Sequence, residues 1–197
     1  MILNEISAVP SSALPVSEFS EHLHLGSGFA DDGAQDSILE AYLRAAISAI
    51  EARTGKAIFL RGFAWTLYGW HRSDSQGLPL APVQSVDSIR IQNAQGLDQL
   101  IDHAVYGLEK DLHFPKIVTR SGSLPYIGSG SAEVTIQAGF APDWSGLPTD
   151  LQQAVLILAS HYYENRQASG SLGEPIPAHV LGLLAPYQKV SLSGGLR

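Results

Sequence analysis

Seven histidines are the residues with the clearest potential for chemistry in this chain of 197 residues. His22 and His24 lie two positions apart, which on a helix directs them to different sides. His161 and Glu164 lie three apart and could share a metal ion, but no His-Glu-x-x-His arrangement accompanies them. Because zinc sites normally need three or four converging ligands, the favoured interpretation is structural histidines, with no metal or other cofactor.

Glycine- and serine-rich segments raise the questions of phosphate binding and nucleophilic catalysis. Residues 54–56 (TGK) resemble the end of a phosphate-binding loop, but Ile50 stands where that motif requires glycine. The segment 128–131 (GSGS) precedes a predicted strand, so no helix dipole is available there to hold a phosphate. The serines at 121–123 and 169–171 lack the nucleophile-elbow pattern. The sequence therefore predicts that the chain is not an enzyme.

Trp65, Tyr68 and Trp70 form an aromatic cluster that invites comparison with ligand-stacking sites. They are not paired with basic residues, so packing within a sheet is favoured over stacking on bases or sugars. A contact between subunits is a further interpretation, because tryptophan and tyrosine are enriched at interface centres. A small cytosolic hydrolase or ligand-binding domain stays open as an alternative that would use Trp65, Trp70, His71 and His161.

The amino-acid composition argues against several classes of protein for this chain. The chain is 45% hydrophobic with a net charge of −7, which is enough apolar material for one sizeable core. Its lysines and arginines are scattered, whereas specific nucleic-acid binding needs clustered cations against the phosphates. The absence of a long apolar run, of a basic leader and of cysteine argues against a membrane span, export and disulfides. The expectation is a cytoplasmic protein with no membrane association.

The segment 148–167 (PTDLQQAVLILASHYYENRQ) predicts a central helix. Thr149 and Gln152 have the spacing of a capping box at its start. Apolar residues recur along it every three to four positions and cover more than one side. We therefore expect a core or a contact between subunits at Leu151, Val155, Leu158, Tyr162 and Tyr163.

Three further helices are predicted, one long and two short. Asp32 or Asp36 caps the long one, and Gly55 follows its last residue, where glycine commonly ends a helix. Ser17 caps the first short helix. The predicted ranges are 18–25, from Asp32 or Asp36 to about Thr54, and 177–187.

Between the two long helices the chain changes to the pattern of strands. Val134, Ile136, Ala138 and Phe140 alternate with polar residues, as in a strand with one buried side. Gly62 interrupts an aromatic and β-branched segment and is predicted to mark a bulge or bend. The predicted strands are 86–93, 105–109, 116–120 and 133–140.

This order of elements predicts an α+β fold. Its helical core consists of two long helices with short N- and C-terminal helices, and an antiparallel β-rich insertion lies between the long helices. The predicted parts are an N-terminal arm (1–16), a single domain (17–187) with its insertion at about 57–140, and a C-terminal tail (188–197).

Several segments, in this order, resemble one known family. A helix ending in Glu-x-x-Thr-Gly leads at once into a strand, and FAWTLYGW, LPLAPVQSVDSIRI, VTIQAGF, LP-x-DLQQAVLILASHYYENR and LLAPYQKV follow. In order and spacing they resemble the head–tail connector (adaptor) proteins of long-tailed phages, especially the adaptor of the alphaproteobacterial gene transfer agent. The resemblance covers about residues 14–190.

The resemblance implies a structural subunit of a ring, typically a dodecamer, that lies beneath the portal and continues the DNA channel towards the tail. Its partners would be copies of itself, the portal protein, a tail-side stopper or terminator, and double-stranded DNA that passes without specific binding. It would be in the bacterial cytoplasm during assembly and then in the neck of the particle. Another joint protein, such as a stopper or tail terminator, stays open as an alternative.

In such connectors the C-terminal segment often docks on the portal. The tail of this chain has spaced apolar residues that can become ordered on a partner. The resemblance thus implies a portal-docking role for Tyr187, Lys189, Val190, Leu192, Leu196 and Arg197. Loops near 71–82 and 121–131 are candidates for contact with the next tail-side component.

Overall fold

The computed structural model describes residues 2–24, 35–93, 95–165 and 176–189. The chain divides into two compact units, residues 1–14 with 56–147 and residues 15–55 with 148–197. The first, here called the sheet unit, contains antiparallel sheets, and the second, the helical unit, contains α-helices. This combination confirms an α+β fold. Among the helices described, none is both long and apolar enough to cross a membrane.

The α-helices described in the helical unit are α1 (Val16–His22), α2 (Asp36–Thr54), α3 (Thr149–Glu164) and α4 (Ala178–Leu184), with a 3-10 turn (Ala185–Tyr187) after α4. Within this unit α3 packs against α1, α2 and α4. The buried residues of α2, such as Leu39, Leu43 and Ile50, recur at helical spacing. Gly55 ends α2 with a left-handed φ of 66°, which confirms its predicted role.

The predicted N-terminal caps are wrong. The N-cap positions of α1, α2 and α3 are taken by Pro15, Gln35 and Pro148, without a side-chain cap hydrogen bond. Ser17, Asp36 and Thr149 lie inside the helices instead, and Asp32 lies outside the described residues. At α3, the fixed φ of Pro148 directs the chain into the helix, and its carbonyl accepts the Gln152 N–H. Thr149 is therefore one position too late to act as the cap.

The described strands of the sheet unit are β1 (Ile2–Glu5), β2 (Arg61–Leu67), β3 (Ser75–Gly77), β4 (Val83–Gln92), β5 (Asp98–Leu100), β6 (Tyr106–Glu109), β7 (Lys116–Thr119) and β8 (Ser131–Ala138). Their larger sheet has the order β1-β2-β8-β4-β5, and their smaller sheet has the order β3-β7-β6. Every neighbouring pair in both sheets is antiparallel.

One hydrophobic cluster contains residues of both sheets. From β8 it takes Val134, Ile136 and Ala138, which alternate with more exposed polar residues as predicted. Phe140 lies beyond the end of that strand. The predicted strands at 105–109 and 116–120 are confirmed as β6 and β7.

The predicted bulge at Gly62 is wrong. Gly62 pairs in regular register with Gln137 of β8, and its N–H donates to the hydroxyl of Ser7. A Cβ at this position would lie 3.6 Å from the Ile6 Cβ, an ordinary van der Waals distance, so nothing in the structure requires glycine here. The register shifts occur in β4, after Val83 and after Val86. The strands β1, β3 and β5 were not predicted at all.

Candidate functional site

The residues predicted as a core or a contact between subunits divide into two groups. Leu151, Val155 and Leu158 are fully buried and belong to the core of the helical unit. Tyr162 and Tyr163, at the C-terminal end of α3, are half-buried. The Tyr163 ring meets that of Tyr42 edge-on, with 5.6 Å between the centroids. These two tyrosines leave part of their rings at the surface, so the subunit contact remains a prediction for them.

Tyr187, the first residue of the predicted portal-docking set, is packed into its own unit. It lies in the turn after α4, and its hydroxyl donates to Asp150 Oδ1 over 2.7 Å. Burial and the adjacent carboxylate raise the pKa of Tyr187. Tyr187 therefore fixes the turn that directly precedes the predicted tail. Of the remaining set, Val190, Leu192, Leu196 and Arg197 lie outside the described residues.

Lys189, also in that set, is exposed beside the end of α2. It lines a cavity of about 380 Å³ together with Arg53, Thr54, Gly55 and Gln188. Arg53 is exposed as well. Two cations at the C-terminal end of a helix complement the partial negative charge of its carbonyl groups. The base of the tail is therefore locally basic on a chain whose net charge is negative.

The two loops proposed for tail-side contact are joined to each other. The Leu124 N–H donates to the Ser73 carbonyl, and Trp70 Nε1–H donates to the Pro125 carbonyl, each over 2.7 Å. The loops near 71–82 and 121–131 therefore meet in one surface, called the paired loops below. Its most prominent side chain is Tyr126, which is 91% exposed.

An exposed ion pair shapes one of the paired loops. Arg72 Nε lies 3.0 Å from Asp74 Oδ1. The hydrogen bond from Arg72 lowers the pKa of Asp74, and the same bond raises the pKa of Arg72. Exposed pairs of this kind add little to stability because water screens them. The pair is better understood as a local constraint on the shape of the loop.

The residues of the alternative ligand site differ in their surroundings within the part of the chain that the structure describes. Trp65 lies in the cluster of the sheet unit, and Trp70 packs against it, as expected for sheet packing. The same prediction is wrong for Tyr68, which is 62% exposed. His71 is exposed, and His161 Nδ1 contacts Asn165. Neither the cavity beside Lys189 nor one of about 410 Å³ near the β4–β5 turn is lined by these four residues. Among the described residues, no group of three or more histidine and acidic side chains could hold a metal ion.

Exposed apolar residues at the edges of the larger sheet were missed by the sequence analysis. Ile2 of β1 is 52% exposed and Leu100 of β5 is 65% exposed. Ile2 lies in the segment interpreted as an arm, and the three residues of β5 are too few for alternation to be recognised. These residues could be recognised only from the pairing register of the strands, which the sequence does not show.

Comparison with known proteins gives close matches among solved structures. A chain in "Neck of empty GTA particle computed with C6 symmetry" is 46% identical, with a TM-score of 0.89 and 99% of each chain covered. A chain in "Virion of native gene transfer agent (GTA) particle" is 45% identical with a TM-score of 0.86, again over 99% of each chain. A chain in "Neck of native GTA particle computed with C12 symmetry" is 41% identical with a TM-score of 0.84 and the same coverage. No family model matches the chain, and no curated protein matches it.

Sequence identity of this size over nearly the whole of both chains indicates the same class of protein as well as the same fold. That class is the structural components of the neck of phage-like particles. The chain belongs to the head–tail connector (adaptor) family, among the adaptors of gene transfer agents.

Proposed function

We propose that this chain is a subunit of an adaptor ring in the neck of a gene transfer agent or related phage-like particle. The single observation that carries this proposal is the 46% identity over 99% of both chains to a protein of such a neck. The related necks were computed with C6 and C12 symmetry, which is compatible with a ring of twelve copies. The role is structural rather than catalytic. The subunit is in the bacterial cytoplasm during assembly and in the neck of the finished particle.

The proposed subunit is one adaptor domain whose helical core carries the β-rich insertion between its two long helices. The tail from 188 to 197 docks on the portal protein. Two observations support this: Tyr187 anchors the base of the tail, and Lys189 and Arg53 make that base basic. Val190, Leu192 and Leu196 provide the apolar contacts, because spaced apolar residues become ordered when a partner covers them.

The paired loops are the proposed contact with a tail-side stopper or terminator. They are held together by two hydrogen bonds and present Tyr126 to the exterior. An exposed tyrosine on a rigid surface is suited to an interface, because its large contact area is ordered at low entropic cost. Double-stranded DNA passes through the ring without specific binding.

The test is to complement particle production in cells that lack the adaptor, with three versions of the full chain. Wild type should give a ring between portal and tail in images of purified particles. Removal of residues 190–197 should leave the circular dichroism spectrum unchanged but remove the adaptor from portal-containing heads. The matched variant Tyr126→Ser should retain the ring on the portal and reduce tail attachment. Absence of the wild-type protein from the neck would overturn the proposal.

A further inference from the structure

The larger sheet has two free edges among the described residues, since β1 bonds only to β2 and β5 only to β4. Backbone groups in an antiparallel pair alternate in direction along each strand. The Ile6 N–H donates to the Gly62 carbonyl of the neighbouring strand, so the backbone N–H and C=O groups of Leu3 and Glu5 point away from the sheet. The Ile101 N–H donates to the Ile89 carbonyl, so the backbone N–H and C=O groups of Asp98 and Leu100 likewise point away from the sheet. Each edge therefore offers the donors and acceptors of two residues.

The two edges also match in their side chains. One row crosses the sheet from edge to edge through the pairs Ile2–Thr66, Thr66–Glu133, Glu133–Arg90 and Arg90–Leu100. This row lies on the side opposite the core, because the neighbours of Glu133 in β8, Ala132 and Val134, are buried. The row is polar in its centre and ends at each edge in an exposed apolar side chain, Ile2 or Leu100.

We infer that β1 of one subunit pairs with β5 of the next, so that the larger sheets join into a continuous band around the ring. This inference rests on the proposed ring, and it identifies β1 and β5 as the surfaces through which neighbouring subunits of that ring bind each other. All neighbours within the sheet are antiparallel and the strands number five, so β1 and β5 run in the same direction. A second copy placed beside the first in the same orientation therefore forms a parallel pair, with Ile2 next to Leu100 on one side of the sheet.

A second copy is the occupant that this geometry fits best. Closed rings need a head-to-tail contact between two different surfaces on opposite sides of each subunit, and opposite edges of one sheet supply them. Pairing of β1 with β1 would be self-complementary and would end at a dimer. Neither strand contains lysine or proline, two of the residues that commonly protect free edges from pairing, and Glu5 and Asp98 are the charged residues of the two strands.

Disulfide trapping tests the inference directly, because the chain contains no cysteine. The variant Ile2→Cys/Leu100→Cys places thiols at opposite edges of one sheet, roughly 19 Å apart across four strand spacings. A disulfide requires Cα atoms within about 7 Å, so any bond must join two subunits. Oxidation of particles that carry this variant should give a ladder of covalent oligomers under denaturing conditions. Each single variant, and the control pair Ile38→Cys/Leu100→Cys, should give no ladder.

Leu100→Lys provides a second test, since a charge at the edge should abolish ring formation while the circular dichroism spectrum of the free subunit is retained. The matched change Leu112→Lys, at an exposed loop residue outside the strands, should leave the ring intact. Particles that contain a ring but give no ladder would overturn the sheet pairing and leave the proposed function standing. Dimers from Ile2→Cys alone would also overturn it. If imaging finds no ring in wild-type particles, both proposals fail.

Discussion

Among single residues, Tyr187 makes the contact with the clearest consequence for stability. Its buried hydroxyl donates to Asp150 and holds the C-terminal turn on α3. Tyr187→Phe should lower the free energy of unfolding by about 1 kcal/mol, the usual net contribution of one buried hydrogen bond. Urea unfolding of the free subunit, followed by circular dichroism, measures the change. The control Tyr126→Phe removes an exposed hydroxyl and should have no effect.

The same residue predicts a pH dependence. Because burial and Asp150 raise the pKa of Tyr187, the folded state favours its protonated form. The stabilisation is fully present below the ordinary tyrosine pKa of about 10 and is lost as the pH rises through the raised value. Between pH 9 and 12, therefore, the difference in unfolding free energy between wild type and Tyr187→Phe should shrink. A difference that grows with pH would contradict this assignment.

Two glycines should respond in opposite directions to alanine. Gly139 has a φ of 136°, and a Cβ there would collide with the carbonyl of Phe59. Gly139→Ala should therefore cost at least about 1–3 kcal/mol, the range for strained backbone. Gly182 lies within α4 with open space around it, so Gly182→Ala should add about 0.5–1 kcal/mol. Thermal unfolding of both variants distinguishes the two effects, and destabilisation of equal size would contradict them.

At the level of elements, the connection between β6 and β7 is organised by one carboxylate. Asp111 Oδ1 accepts the backbone N–H groups of both His113 and Phe114 over 2.7 Å. These bonds lower the pKa of Asp111. The order that they impose is present above the ordinary aspartate pKa of about 4 and is lost as the pH falls through the lowered value.

Amide hydrogen exchange should detect this transition. In wild type, the His113 and Phe114 amides should lose protection on acidification below pH 4, with the strands β6 and β7 still protected. Asp111→Asn retains the oxygen acceptor but does not titrate, so its protection should be independent of pH in this range. Asp111→Ala should lack protection throughout. Protection that is equal in wild type and Asp111→Ala would exclude the carboxylate as the cause.

The periodic spacing of apolar residues predicted the helices and strands that bury one side. The long helices and the strand β8 were recognised because Leu39, Leu43, Val134 and Ile136 recur at the spacing of their element. The helix starts were missed because proline geometry, rather than a polar side chain, directs the chain into α1 and α3. The strands β3 and β5 have three residues each, which leaves no repeat to detect. The strand β1 lies in a segment rich in serine, proline and alanine that was interpreted as an arm.

For the whole molecule, the order of segments indicated the family before any single site could be identified. The residues proposed for assembly are brought together by the fold: the paired loops meet through Trp70 and Pro125, 55 positions apart. Ile2 and Leu100 end the same row only because four strand registers align them. Neither arrangement has a local signal in the sequence. The burial of Tyr187 likewise depends on a helix that begins 38 positions earlier, at Thr149.

The net charge of the chain predicts how strongly the assembled ring binds DNA. A net charge of −7 and scattered cations give few contacts that could release counterions from phosphates. Fluorescence anisotropy with a labelled duplex should therefore detect no tight binding by the adaptor at about 50 mM salt, and no steep change at about 200 mM. Tight binding that weakens sharply with salt would contradict a passive channel. Weak attraction is what passage requires, because each favourable phosphate contact must be broken again for every step that the DNA moves.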